Sequence, residues 1–168
     1  MSILKVDTIN EKTSGNGVAI PGHVIQFKTA TSTGSGTIIS SAGGSFVSLA
    51  GLSLSFTPKV STSWLYITFS THVFISQTAS AWQAAEIKIF KDGTGISTAG
   101  TYGTAANHAG TNDRFMDYMY KHTVHVPAST SAATYDVRAQ CPNLGGNDVQ
   151  FNTSYGGGGR LVIMEISQ

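Results

Sequence analysis

Apolar and polar residues alternate with a period of two along most of this chain, and that pattern fits strands better than helices. In "SWLYITFSTHVFIS" the odd positions Leu65, Ile67, Phe69, Thr71, Val73 and Ile75 form one face, apolar but for its threonine. The even positions are Trp64, Tyr66, Thr68, Ser70, His72 and Phe74, so the second face is aromatic where a solvent face would be polar. "AEIKIFKDG" sets Ala85, Ile87 and Ile89 against Glu86 and Lys88 and stops at an Asp-Gly turn. "TYDVRAQC" sets Tyr135, Val137, Ala139 and Cys141 inward against Thr134, Asp136, Arg138 and Gln140. "VQFNTSY" repeats the scheme with Val149, Phe151 and Tyr155. "RLVIMEI" is apolar on both faces and reads as a central strand. "FMDYMYKHTVHVP" is a long strand with Met116, Tyr118, Tyr120, His122, Val124 and Val126 on its even face, ended by Pro127. In "SFVSLAGLSLSF" the parity shifts near Ala50 and Gly51, which predicts a bulge or bend.

Helix signals are nearly absent. "TASAWQAAEI" (78–87) reads as no more than a turn. Glycine-rich spacers separate the strands, roughly eight of which follow residue 24. That pattern predicts an all-β fold, and eight antiparallel strands in two sheets is the jelly-roll β-sandwich count. A length of 168 residues suits one domain and an arm. Residues 1–22 form the N-terminal β arm and residues 23–168 the head. The arm's two short apolar strands make a hairpin that is marginal alone, so it leans on the head or on another molecule.

Charged residues are 11% of the chain and hydrophobic ones 40%, against a usual charged share of about 25%. This is not the composition of a disordered chain. The net charge is +1 and the basic residues are scattered singly, which argues against nucleic acid as a partner. The longest apolar run, "LVIM", is far too short to insert into a membrane. "MSILKVDTIN" lacks the apolar run of a signal peptide, so synthesis in a cytoplasm is expected. Cys141 shares a face with Tyr135, Val137 and Ala139 and reads as a small buried hydrophobe.

Catalytic patterns are missing. His122 and His125 in "KHTVH" fall on opposite faces of a strand and cannot chelate one ion together, so no metal is assigned. His23, His72 and His108 are isolated. Asp113 and Asp117 are the nearest approach to a carboxylate pair, but they read as a turn residue and an exposed strand residue. There is no G-x-S-x-G elbow, and "GTGISTAG" is not a dinucleotide fingerprint. No enzymatic activity and no cofactor are expected. The spacer "DGTGISTAGTYGTAANHAGTNDR" is long enough to be functional or to conceal a short strand. It carries Tyr102, Asn107, His108, Asn112 and Asp113, which with Trp82 make the candidate glycan- or host-binding set. An aromatic face beside amide and carboxylate groups suits a sugar.

The opening "ILKVDTINEKTSGNGVAIPGHVIQ" resembles the N-terminal segment of short tail-fibre and virion appendage proteins of tailed bacteriophages. The recurring elements are "LKVDTI", a short polar turn, "SGNGV" and a "PG" followed by "VIQ", across residues 1–27. The remainder is similar to small jelly-roll heads of the C1q/tumour-necrosis-factor type, through "FVSLAGLSLSFTPKVSTSWLYITF" and the closing "SYGGGGRLVIMEIS". The resemblance implies a homotrimer with its final strands near the three-fold axis, located in the virion and joined to other virion proteins through the arm. A host-surface glycan is a further partner in that reading. It brings no catalytic motif, and it fits a tail fibre, a spike or a capsid fibre equally. The alternative is a lectin-like carbohydrate-binding module not held in the virion.

The residues support the oligomer independently. Trp64, Tyr66 and Phe74 occupy the second face of a strand whose first face already fills a core, and Tyr118 and Tyr120 are placed similarly. Such aromatics are enriched at interfaces, and closed symmetry would bury them. An ordinary thick sandwich core is the other way to bury them.

Overall fold

The structure is a computed structural model, and it describes residues 21–32, 36–39, 45–76, 83–97, 102–106, 114–143, 149–151 and 158–168. Two antiparallel sheets form a sandwich. The first sheet is built on β4 (Trp64–Ser76), a strand of 13 residues. Along one edge of β4 runs β8 (Arg114–His125). Along the other edge lie first β11 (Arg160–Ile166), with β1 (Val24–Thr31) beyond it, and then β10 (Val149–Phe151), with β2 (Thr37–Ile39) beyond that. The second sheet runs from β3 (Val47–Phe56) through β9 (Ala133–Asn143) to β5 (Gln83–Lys91), which also pairs the short β6 (Thr94–Gly95) and β7 (Tyr102–Ala106).

Four of these strands are pieces of at most five residues (β2, β6, β7 and β10), so the described residues hold eleven strands where sequence patterning finds about eight. The spacer after Lys91 does conceal short strands. One sequence expectation is corrected. Residues 83 and 84, read only as part of a turn, are extended and open β5, because pairing with β9 on one side and β7 on the other outweighs the helix preference of Gln and Ala. Residues 78–82 lie outside the described residues.

The core forms where the alternation predicts. Leu65, Ile67, Phe69 and Val73 of β4, with Leu161, Ile163, Val149 and Phe151, face Leu52, Phe56, Ile87, Ile89, Tyr135 and Val137 of the second sheet. Cys141 is fully buried among them, and burial pushes its thiol up to about 12, which leaves it an inert hydrophobe. β11 is the central strand foreseen, between β1 and β4. The parity shift in β3 is real. The β3–β9 register slips between Ser48 and Ser53, and Gly51 there has φ +76. A Cβ on Gly51 would stand 2.9 Å from Ser32 Cα, so this backbone needs both the left-handed angle and the missing side chain.

Inside the sandwich sits a carboxylate that the pattern of β11 hides. Glu165 has 0% exposure. Its Oε1 accepts from Lys59 N (2.9 Å), Val60 N (2.9 Å) and Ser63 Oγ (2.8 Å), and its Oε2 from Gln26 Nε2 (2.6 Å). One side chain thereby ties β11 to β1 and to the bend between β3 and β4. Burial raises the Glu165 carboxyl, but these hydrogen bonds outweigh it and hold the group below its ordinary value.

Gly51→Ala should destabilise the fold by about 1–3 kcal/mol in urea unfolding, as a non-glycine residue forced into strained backbone does. Because the folded carboxyl of Glu165 is depressed, its stabilisation is present at neutral pH and lost as pH falls below about 4.3 and through the folded value. Glu165→Gln should cost about 2–4 kcal/mol at pH 7 and flatten the acid limb of a stability–pH curve.

Candidate functional site

The outward faces of the two sheets differ. On the second sheet the outward residues hold one another. Arg138 Nε donates to Asp136 at 2.6 Å, Ser48 Oγ donates to the same carboxylate at 2.9 Å, and Gln140 donates to Glu86. Phe90 lies under Phe46 with centroids 5.4 Å apart, and the Arg138 guanidinium covers its ring at 4.5 Å. Asp136 and Glu86, outward by alternation, are nevertheless buried beneath this cover.

Among the described residues the first sheet has no such cover. Register puts Phe27, Met164, Tyr66 and Val124 in one row across β1, β11, β4 and β8. The next row is Thr29, Val162, Thr68 and His122. Ile166 and Trp64 pair at the near end, and His72 and Tyr118 towards the far end. Phe27 is 66% exposed, Val124 55%, Tyr120 54%, Tyr118 53% and Trp64 49%. Met164, Val162, Ile166, Tyr66 and Phe74 are half-buried between them. Among the described side chains, Arg160 is the one formal charge on this face. Contiguous apolar surface of this kind is rare on monomers and marks a contact site.

The rings on this face are ordered. His122 stands between Tyr66 and Tyr120, its centroid 5.9 Å from each. His72 meets Tyr118 edge-on at 4.9 Å. A hydrogen bond with Tyr66 raises the Tyr120 phenol above its ordinary value, with smaller contributions from burial and from the charge on Tyr66. His125 points the other way, into the sandwich, where its ring lies 6.2 Å from that of Tyr135. The two histidines of "KHTVH" therefore do occupy opposite faces. Among the described residues no group of three or more His, Cys, Asp or Glu side chains could hold a metal ion.

All five residues expected at an interface (Trp64, Tyr66, Phe74, Tyr118 and Tyr120) thus lie on one sheet face. The sequence reading missed Phe27, Val24 and the even side of β11 as members of it. The available signal was that "RLVIMEI" is apolar on both sides, and β11 has just one side in the core. Of the expected glycan-binding set, Trp82, Asn107, His108, Asn112 and Asp113 lie outside the described residues. For Tyr102 the backbone alone is described, at the start of β7.

No family model matches the sequence, and no curated protein matches it. Chains from structures of infectious bursal disease virus are similar in fold. For the Gx strain the TM-score is 0.43 at 16% identity, over 96% of this chain and 42% of that one. For the Gt strain it is 0.46 at 15% identity, over 98% and 43%. For T=1 particles derived from the virus it is 0.42 at 16% identity, over 98% and 41%. This chain therefore spans about two fifths of the length of the chains it resembles, and the likeness is one of fold. Among the described residues no helix is long and apolar enough to cross a membrane.

Tyr66→Phe should bring the Tyr120 phenol back down towards its ordinary value. Ultraviolet difference titration of the tyrosines, with Tyr120→Phe to identify the transition, checks this.

Proposed function

We propose that this protein is a virion structural protein of a tailed bacteriophage, a homotrimeric tail-fibre, spike or capsid-fibre appendage. One observation carries the reading. The outward face of β1, β11, β4 and β8 presents Phe27, Trp64, Tyr118, Tyr120 and Val124 to solvent with almost no charge around them. Among the described residues nothing lies over that face, since the second sheet is used on the inside. Two further copies related by a three-fold axis would bury it. Closed rotation lets one sticky face meet its own copies without growing into a filament.

The resemblance of residues 1–27 to phage appendage proteins supports the virion assignment. In this reading residues 1–22 attach the head to other virion proteins, and the head projects to contact the host or to stabilise the particle. No step of catalysis belongs to it.

Purified virions examined by mass spectrometry should contain the protein at a multiple of three copies per site, and light scattering of the isolated protein should give three chains per particle. Trp64→Ala should weaken assembly by about 2 kcal/mol or more, as loss of a desolvated aromatic anchor does. A folded 17.6 kDa monomer at dilute concentration would refute the trimer. Absence from virions combined with glycan binding would favour the free lectin.

A further inference from the structure

His125 ends β8, and the surroundings make that end a weak point of the sandwich. Its ring turns inward and lies 6.2 Å from that of Tyr135 on the second sheet. Its Nε2 is sealed from solvent and has no hydrogen-bond partner among the described residues, and the same holds for the Tyr135 hydroxyl. Among the described residues β8 is paired along one edge, by β4, where Leu65 stands opposite His125. The connection that follows carries Ala128 at φ 58, a left-handed angle that a residue with a side chain adopts under strain. Ala128 N ties it to the bend after β3 by donating to Ser61 O at 3.1 Å. Beside Tyr135 a cavity of about 170 Å³, lined also by Pro58, Lys91, Asp92, Pro127 and Ser131, leaves the packing at this end incomplete. Sparse packing and a singly paired strand end favour local opening.

The His125 site suits one charge state of the ring. A neutral imidazole can carry its proton on Nδ1 and leave Nε2 bare, which fits a sealed Nε2 without a partner. The cation has to place a second N–H on Nε2, a buried donor with nothing to accept it. The carboxylates at this end are engaged elsewhere. Asp92 Oδ1 accepts from Thr134 N at 2.8 Å, and Glu165 accepts from Lys59 N, Val60 N, Ser63 Oγ and Gln26 Nε2. Tyr135 stays neutral, its phenol pushed up to about 12 by burial and by the charges of Asp92 and Glu165. From β5 the ring meets the charge of Lys91, which repels a second cation. The next charge on the same side of β8 is another cation, Lys121, about 13 Å along the strand. Desolvation, and after it Lys91, hold the imidazole below its ordinary value.

We propose that the end of β8 is an acid-released latch: it stays closed on the second sheet while His125 is neutral, and protonation of the ring lets residues 124–132 lift away while the rest of the sandwich holds. The closed form excludes a proton that the open form accepts. The latch is therefore secure above about pH 6.5, the ordinary value for histidine, and loosens as pH falls below it. Val124, next to His125, stands on the rim of the aromatic face, so release disturbs that rim as well. The latch lies within one chain and does not depend on the proposed trimer.

Hydrogen–deuterium exchange of the full-length protein between pH 7.5 and 5 tests this, read by mass spectrometry on peptides spanning residues 122–132, with peptides from β9 and β11 as reference. After correction for the intrinsic pH dependence of exchange, protection of the 122–132 peptides should fall below about pH 6.5, with a slope approaching tenfold per pH unit, the limit for one proton. The reference peptides should keep theirs. His125→Phe, which fills the space without a titrating group, should abolish the fall, and Lys91→Met, which removes the facing cation, should lessen it. Particle mass recorded at each pH reads loss of the trimer separately from failure of the latch. Unchanged protection at pH 5, a loss shared equally by β9 and β11, or the same fall in His125→Phe would overturn the latch. Where His125→Phe does not fold, Lys91→Met decides, and a fall as early and as steep as the parent's overturns it.

Discussion

The apolar character of both faces of β4 is the constraint on which the architecture depends. Its odd residues close the sandwich against β3, β5 and β9, and its even residues stand on the outside with Phe27, Val124 and the even side of β11. A two-layer sandwich can satisfy one face of each sheet. The second sheet resolves its outer face internally, with Arg138, Asp136, Ser48 and Gln140 forming a polar lattice over Phe90. Among the described residues the first sheet has no counterpart of that lattice on its outer face. This asymmetry is the physical basis for reading the chain as a subunit.

Much of this was legible in the sequence, since alternation is a local property. The inward sets of β4, β9 and β10 can be read off by parity, and so can the slip at Gly51, where two apolar runs fall out of phase. The aromatic face was legible for the same reason, through Trp64, Tyr66, Tyr118 and Tyr120. Short strands such as β2 and β6 were not, because two or three residues carry no period. Nor was the beginning of β5, where neighbouring strands on both sides overrode the preference of Gln83 and Ala84.

Contacts that join distant segments were the least visible. Glu165 reads as the lone polar residue of an apolar strand, and nothing local says that residues 26, 59, 60 and 63 will converge on it. The Tyr135 cavity is similar. Parity places Tyr135 inward, but nothing local says that its buried hydroxyl has no partner among the described residues or that Lys91, Asp92 and Ser131 approach it from two separate segments.

The placement of β11 bears on how the molecule is made. β1 and β4 are not neighbours, and the first sheet is continuous only once residues 160–166 slot between them. Until that segment is in place, β1 and the β4 edge that faces it carry open hydrogen-bonding groups. The outer surface shared by β1, β11, β4 and β8 is therefore complete only when a segment far along the chain has joined two that come much earlier.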